Sequence, residues 1–279
     1  QNYPGHKLDL VAIPDFASGA MENLGCITFR ETLLLVDEKR ATEPELSRIA
    51  DVIAHEIAHM WFGDLVTMKW WNGIWLNEAF ATFMATKAVD KFKPEWERWV
   101  QFGFERSAAF DVDSLEQTRP IEYEVLSPDD ASGMFDLLTY EKGGSVLRML
   151  EQYLGEDIFQ KGVQKYLKFH KFSNTETEDL WESLEKTANQ PVRAIMDSWI
   201  FQPGFPKLFV SVDNEDLRIE QTIFRYKKVS TNNQLWSIPI ILKTWDNNTE
   251  NLTKKLMRDN ILKLKVNNSE NNSSLINVG

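Results

Sequence analysis

The stretch Thr42-Glu-Pro-Glu-Leu-Ser-Arg-Ile-Ala-Asp-Val-Ile-Ala-His-Glu-Ile-Ala-His-Met-Trp-Phe-Gly63 decides how this chain is read. Thr42 with Glu45 three residues later forms a capping box, and Pro44 falls in the first turn, where its missing N–H costs nothing. Leu46, Ile49, Ile53, Ile57 and Met60 recur every three or four residues, the apolar stripe of a core-facing helix. Gly63 supplies the stop. The pattern predicts one helix, and His55 and His59, four apart, share a face of it.

Two imidazoles one turn apart can reach a single ion. Zinc accepts such nitrogens at about 2.0–2.1 Å and, in catalytic sites, keeps one position for water. Glu56 lies on the adjoining side of the helix, where its carboxylate can reach that water rather than the metal. A third ligand is needed, and Glu78 follows His59 by nineteen positions, near the start of the next helical pattern. The plain alternative is two surface histidines with a glutamate between them. A helix, a turn and a further carboxylate all falling where the chemistry needs them favour a site for one zinc ion.

Outward from this helix, Leu8 to Phe16 and Cys26 to Val36 read as strands around the turn Ser18 to Gly25. Helical patterns cover Asn77 to Phe92, Glu95 to Phe110 and Phe135 to Leu154. Within the last, Gly143 and Gly144 each cost roughly 1 kcal/mol against alanine, which predicts another element packed closely there. Thr175 with Glu178 reads as a further capping box, and Pro191 opens the last helix. After Gln202-Pro-Gly-Phe-Pro206 the character changes. Leu208 to Val212, Leu217 to Phe224, Trp236 to Trp245 and Ile261 to Val266 alternate between Asn- and Asp-rich turns, the pattern of a small all-β sandwich. The predicted fold class is α+β, with a mainly helical part at 1–203 and a β part at 204–279. The tail Asn267 to Ser274 reads as a loop. It and Asn251-Leu-Thr253 hold glycosylation sequons of the kind that arise readily in Asn-rich turns.

A formal charge of −11 argues against nucleic acid as a partner, which needs a basic footprint, and suits a cationic ligand. No apolar run approaches the ~20 residues of a membrane helix, so no membrane contact is expected from this segment. The lone Cys26 leans towards a reducing, cytoplasmic compartment and reads as a small buried apolar residue rather than a nucleophile. Gln1 is not a start methionine, and the chain reads as a fragment. His6 and His170 lack a partner at ligand spacing, and Trp70, Trp71 and Trp75 read as packing beneath the site.

Four ordered motifs now stand together: Gly19-Ala-Met-Glu-Asn23, His55-Glu-Ile-Ala-His59, Glu78 within Trp75-Leu-Asn-Glu, and Tyr140-Glu-Lys-Gly143. In these the chain resembles the zinc aminopeptidases of the aminopeptidase N and puromycin-sensitive type, which also include leukotriene A4 hydrolase. The resemblance runs through nearly the whole chain. It implies a thermolysin-like catalytic domain lacking its first strands, then a β-sandwich, with flanking domains of the same chain missing. Ala79 departs from the glycine many relatives carry after the metal-binding glutamate, a mild change on a helix.

The resemblance also implies roles. His55, His59 and Glu78 would hold the zinc, and Glu56 would serve as general base. Tyr140 would donate to the oxyanion. Glu22 would pair with the α-ammonium of a peptide with a free amino terminus, and the turn of Gly19, Ala20, Met21, Glu22 and Asn23 would bond to the peptide backbone. The function implied is removal of single residues from the amino end of peptides. An epoxide hydrolase of the leukotriene A4 hydrolase type, a non-catalytic peptide-binding relative and a thermolysin-type endopeptidase are the competing readings. Glu56 and all three ligands are in place, and an endopeptidase has no need of an ammonium-binding turn.

Overall fold

Helix α1 (Glu43–His59) starts and stops as its sequence dictates. In the computed structural model, which describes residues 2–213, 216–227, 234–246, 249–265 and 273–277, Glu45 accepts the Thr42 backbone N–H at 2.8 Å. Gly63 turns the chain away at φ +138°, a conformation only glycine adopts without strain.

Three short strands lie over α1: β1 (Asp9–Ile13), β2 (Ala20–Met21) and β3 (Cys26–Arg30). The middle strand, β3, runs parallel to β1 and antiparallel to β2. Its alternation sends Ile27 and Phe29 inward onto Val52 of α1 and Met60 just after it. The same alternation turns Cys26 outward, so the cysteine is exposed rather than buried as its composition suggested. The expected strand to Val36 stops early because Glu31–Leu33 coil into a 3-10 turn.

Helix α2 (Trp75–Phe92) buries eleven of its eighteen residues and packs against α1. Its start is pinned from outside the helix. The Glu122 carboxylate accepts from Asn72 at 2.5 Å, from the Trp75 indole at 2.9 Å and from the Thr177 hydroxyl at 2.5 Å. Helix α3 (Arg98–Asp113) begins later than the expected Glu95, because Pro94–Trp96 form a 3-10 turn and Glu97 takes a left-handed conformation at φ +46°.

The stretch predicted as one helix from Phe135 to Leu154 is broken into two elements, with a short helix preceding it. A short α4 (Pro128–Gly133) is followed by a wide π-helical turn at Leu138–Lys142 and then by α5 (Gly143–Leu154). The Asp136 carboxylate accepts the backbone N–H groups of Leu138 and Thr139 at 2.9 and 3.2 Å, and so starts a new element there. Helices α6 (Glu156–Phe169), α7 (Thr177–Ala188) and α8 (Val192–Ile200) complete the helical core. It is built on Leu147, Leu150, Leu180, Trp181, Leu184 and Ile195, all fully buried. The capping box of α7 is Glu176 with Asp179, not Thr175 with Glu178. Thr175 is taken by a parallel pair, β4 (Val66–Met68) with β5 (Ser173–Thr175), and its hydroxyl bonds that of Tyr166 at 2.7 Å.

From Pro206 the described residues are all strand and turn. β6 (Pro206–Asp213), β7 (Asp216–Ile223) and β10 (Ile261–Lys265) form one antiparallel sheet, in the order β10-β7-β6. β8 (Ile238–Asp246), β9 (Thr249–Met257) and β11 (Ser273–Asn277) form another, in the order β11-β8-β9. Leu217 and Ile219 share a core with Ile238, Ile240, Leu242 and Met257. Strand β9 escaped the pattern because its middle is polar and exposed. It is held by backbone pairing with β8, and Asn251-Leu-Thr253 lies in it rather than in a turn. Of the expected tail loop, Ser273 and Ser274 are strand, and Asn267 to Asn272 lie outside the described residues. No helix among the described residues is long and apolar enough to cross a membrane.

A buried ionic knot ties the β strands to the helices. Asp113, at the end of α3, pairs with Lys142 at 2.8 Å and accepts from the Gly204 N–H at 2.9 Å and the Thr118 hydroxyl at 2.7 Å. Lys142 also donates to the Gly204 carbonyl at 3.0 Å. Removing one partner strands a charge away from water. Asp113→Ala is therefore expected to destabilise the intact protein by about 3–5 kcal/mol, whereas replacing the exposed Asp37 should cost under about 0.5 kcal/mol. Unfolding midpoints of the two variants check this.

Candidate metal centre

The packing of α1 on α2 turns Glu78, in the first turn of α2, towards the histidine face of α1. The Nε2 atoms of His55 and His59 stand 3.0 Å apart, and Glu78 Oε2 lies 3.1 Å from the first and 3.3 Å from the second. Ligands held about 2.0–2.1 Å from a common tetrahedral ion lie roughly 3.3 Å from one another, so the triangle fits zinc with little adjustment. The donor set fits as well. His59 Nδ1 donates to the Phe62 carbonyl at 3.0 Å, which fixes the tautomer and leaves the Nε2 lone pair for a metal. Glu22, Glu56 and His59 also come within 4.8 Å of one another, but Nδ1, the His59 nitrogen nearer Glu22 (4.0 Å), is already spent on Phe62.

Electrostatics around the triangle reflect burial. Burial favours neutral His55 and lowers its pKa. Burial opposes charge on His59 too, but Glu78, Glu22 and the Phe62 carbonyl outweigh it and raise the imidazole to about 9. Burial alone would raise Glu78, yet hydrogen bonds from both imidazoles bring it down to about 2. The three groups together call for positive charge, which a divalent ion supplies.

Glu56 is 7% exposed, and its Oε2 has no hydrogen-bond partner among the described residues. Burial, reinforced by the charges of Glu22 and Glu78 against the pull of His59, pushes its carboxyl up to about 8. A carboxyl near neutrality is poised to exchange a proton with water. Tyr140, in the π-helical turn, stacks on His55 with ring centres 6.0 Å apart. Burial and the facing Glu78 carboxylate hold its hydroxyl well above its ordinary range, so it stays a proton-bearing donor. The turn reaches this position because α5 and α2 nearly touch. A Cβ on Gly143 would stand 2.7 Å from Ala79 Cβ, the close packing its glycine pair predicted.

These groups line one cleft of about 770 Å³ together with Gly19, Ala20, Met21 and Glu22. Asn23 does not line it. Its amide bonds the Met21 carbonyl and the Thr28 hydroxyl, both at 3.4 Å, holding the turn to β3. Of the three tryptophans read as packing, Trp75 is fully buried, but Trp71 and Trp70 are exposed and Trp71 forms part of the cleft wall. Sequence reasoning also missed Arg48, Asp51, Arg98, Glu105 and Glu141, which line the cleft beyond His55. Asp51, one helical turn before His55, was the available signal.

Residues 1–199 match the family model described as the peptidase family M1 domain. The chain is 47% identical over 240 residues to Aminopeptidase M1-A of Oryza sativa subsp. japonica, covering 86% of this chain and 27% of that protein. It is 49% identical over 238 residues to Probable aminopeptidase 2 of Sulfurisphaera tokodaii, 85% and 30% respectively. With Tricorn protease-interacting factor F2 of Thermoplasma volcanium it shares 45% over 265 residues, 94% and 34%. It thus spans about a third or less of the length of these curated relatives.

Metal analysis of the intact protein is expected to find one zinc per chain, and none in His59→Ala. Gly143→Ala should lower stability by about 1–3 kcal/mol through collision with Ala79, and the double change Gly143→Ala with Ala79→Gly should recover most of the loss in a thermal melt.

Proposed function

Because the chain belongs to peptidase family M1, we propose that its cleft releases single residues from the amino end of peptides. The observation that supports this most is one buried carboxylate, Glu56, left without a partner beside two imidazoles and a third ligand, with Glu22 facing the same space. One zinc ion held by His55, His59 and Glu78 would lower the pKa of a water towards ~7 and polarise the carbonyl to be attacked.

The remaining work falls to side chains. Glu22 pairs with the α-ammonium and so sets the count at one residue. Gly19, Ala20 and Met21 offer backbone to the extended peptide, and Asn23 keeps their turn in register with β3. Glu56 takes the proton from the attacking water and passes it to the departing amine. The Tyr140 hydroxyl donates to the carbonyl oxygen as charge gathers there. We further infer that residues 1–203 form a thermolysin-like catalytic domain and 204–279 a β-sandwich, a division supported by the separate core that β6 to β10 share. Peptides with free amino termini are the proposed partners, alongside further domains of the same chain.

The test is hydrolysis of an aminoacyl-coumarin panel by the intact protein. Release is expected to stop with a chelator, with an acetylated amine and in Glu56→Gln. Tyr140→Phe should lower kcat by about 10²–10³ with little change in KM. Zinc-loaded protein that releases nothing from any free-amine substrate would overturn the proposal in favour of a peptide-binding or epoxide-hydrolysing relative.

A further inference from the structure

Along the cleft face of α1 stand His59, His55, Asp51 and Arg48, spaced three or four residues apart. Glu22 sits at the His59 end, 4.0 Å from Nδ1. Tyr140 stacks on His55, and past it the wall is charged. Arg98 grips Asp51 through two hydrogen bonds and lies 3.9 Å from Glu105, so its charge is engaged twice. Glu141, the neighbour of Tyr140, is different. Its Oε2 is shielded from solvent and has no hydrogen-bond partner among the described residues. Burial, with the Glu105 carboxylate beside it and only Arg48 opposing, pushes its carboxyl up to about 7. An acid placed so against a cleft wall lacks the cation that would complete it.

The direction of the peptide follows from the two ends. With the α-ammonium on Glu22, the chain crosses the metal triangle and continues past His55 towards the start of α1. One turn of α1 rises about 5.4 Å and one extended residue about 3.3 Å, so the level of Asp51 is reached roughly two residues on. There Arg98 links Asp51 to Glu105, the neighbour of Glu141. Charge balance points the same way. Six carboxylates and two guanidinium groups line the cleft. This excess of acidic over basic groups makes the cleft favour cationic ligands.

We propose that Glu141 is a specificity-determining residue that receives a lysine or arginine side chain at the second or third position of the peptide. This rests on the aminopeptidase reading, since Glu22 fixes the direction. The Arg98 pairs hold Asp51 and Glu105 in place, leaving Glu141 as the free acceptor. Arg48, exposed at the rim, sets how strongly the pole attracts a cation.

The test uses the intact zinc-loaded protein and two peptide series, Leu-X-Ala-Ala and Leu-Ala-X-Ala, with X lysine or norleucine. In at least one series kcat/KM for lysine should exceed that for norleucine by about tenfold, as expected of a hydrogen bond to a charged group. Glu141→Gln should bring the ratio within about twofold of one, and Arg48→Gln should widen it. The Arg48 change needs no buried group and serves if Glu141→Gln does not fold. Ratios near one in both series, or a preference that survives Glu141→Gln, would overturn the assignment. So would a preference that Arg48→Gln leaves unchanged or narrows. Absence of turnover for every peptide would instead count against the aminopeptidase reading. Equilibrium binding of the same peptides to Glu56→Gln, with the same ratios expected, then decides the charge preference on its own.

Discussion

Three lone-pair-bearing atoms held 3.0–3.3 Å apart in a buried place repel one another unless positive charge sits among them. Everything around the centre keeps His55, His59 and Glu78 in that position. The cap at Thr42 and the stop at Gly63 fix the length and phase of α1. Ile27 and Phe29 of β3 press on it from one side, and α2 presses from the other. Relaxing any of these contacts would let the ligands drift apart and relieve the electrostatic cost at the expense of the site.

Close packing then carries the chemistry from the triangle to its neighbours. Gly143 has no side chain to keep α5 from Ala79 on α2, one residue after the ligand Glu78. That approach sets the π-helical turn, and with it Tyr140, against His55. Two residues after Tyr140, Lys142 is buried on Asp113 and Gly204. The turn that leads into β6 therefore helps to hold the hydroxyl in place, although none of the described residues of β6 to β11 lines the cleft. A buried ion pair of this kind contributes little net stability, but it penalises any other arrangement of the turn.

Much of the fold was legible because its signals are local. The capping box of α1 and the turn at Gly63 need only neighbouring residues, and the structure reproduces them. The expected stripe, however, is only partly buried at Leu46, Ile49, Ile53 and Ile57, and the helix meets the core through Val52. The failures have two causes. The wide turn at Leu138–Lys142 starts on the nearby Asp136 carboxylate and the left-handed Glu97 closes the turn at Pro94–Trp96, neither of which apolar periodicity can reveal. The shifted cap of α7 is instead set by a distant strand. Thr175 could not cap α7 because β4, more than a hundred residues earlier, had taken it. Strand β9 has no apolar alternation of its own and exists because β8 offers it a backbone to pair with. Cys26 was misjudged for a similar reason. Its exposure follows from which face of β3 meets α1, not from what kind of residue it is.

By itself the sequence placed His55 and His59 on one face of a single helix, because the spacing of residues on a helix fixes which side chains share a face. It offered Glu78 as a candidate third ligand that the packing of α2 on α1 then brought beside them. The motif resemblance added Tyr140 and Glu22, whose roles no spacing rule could supply. Only the tertiary structure decided that Asn23 supports its turn instead of facing the cleft, and that Trp71 forms part of the wall. It alone brought Asp51, Arg98, Glu105 and Glu141 from α1, α3 and the π-helical turn to one pole. Those residues are far apart along the chain, and charges meet through the packing of elements rather than through their order in sequence.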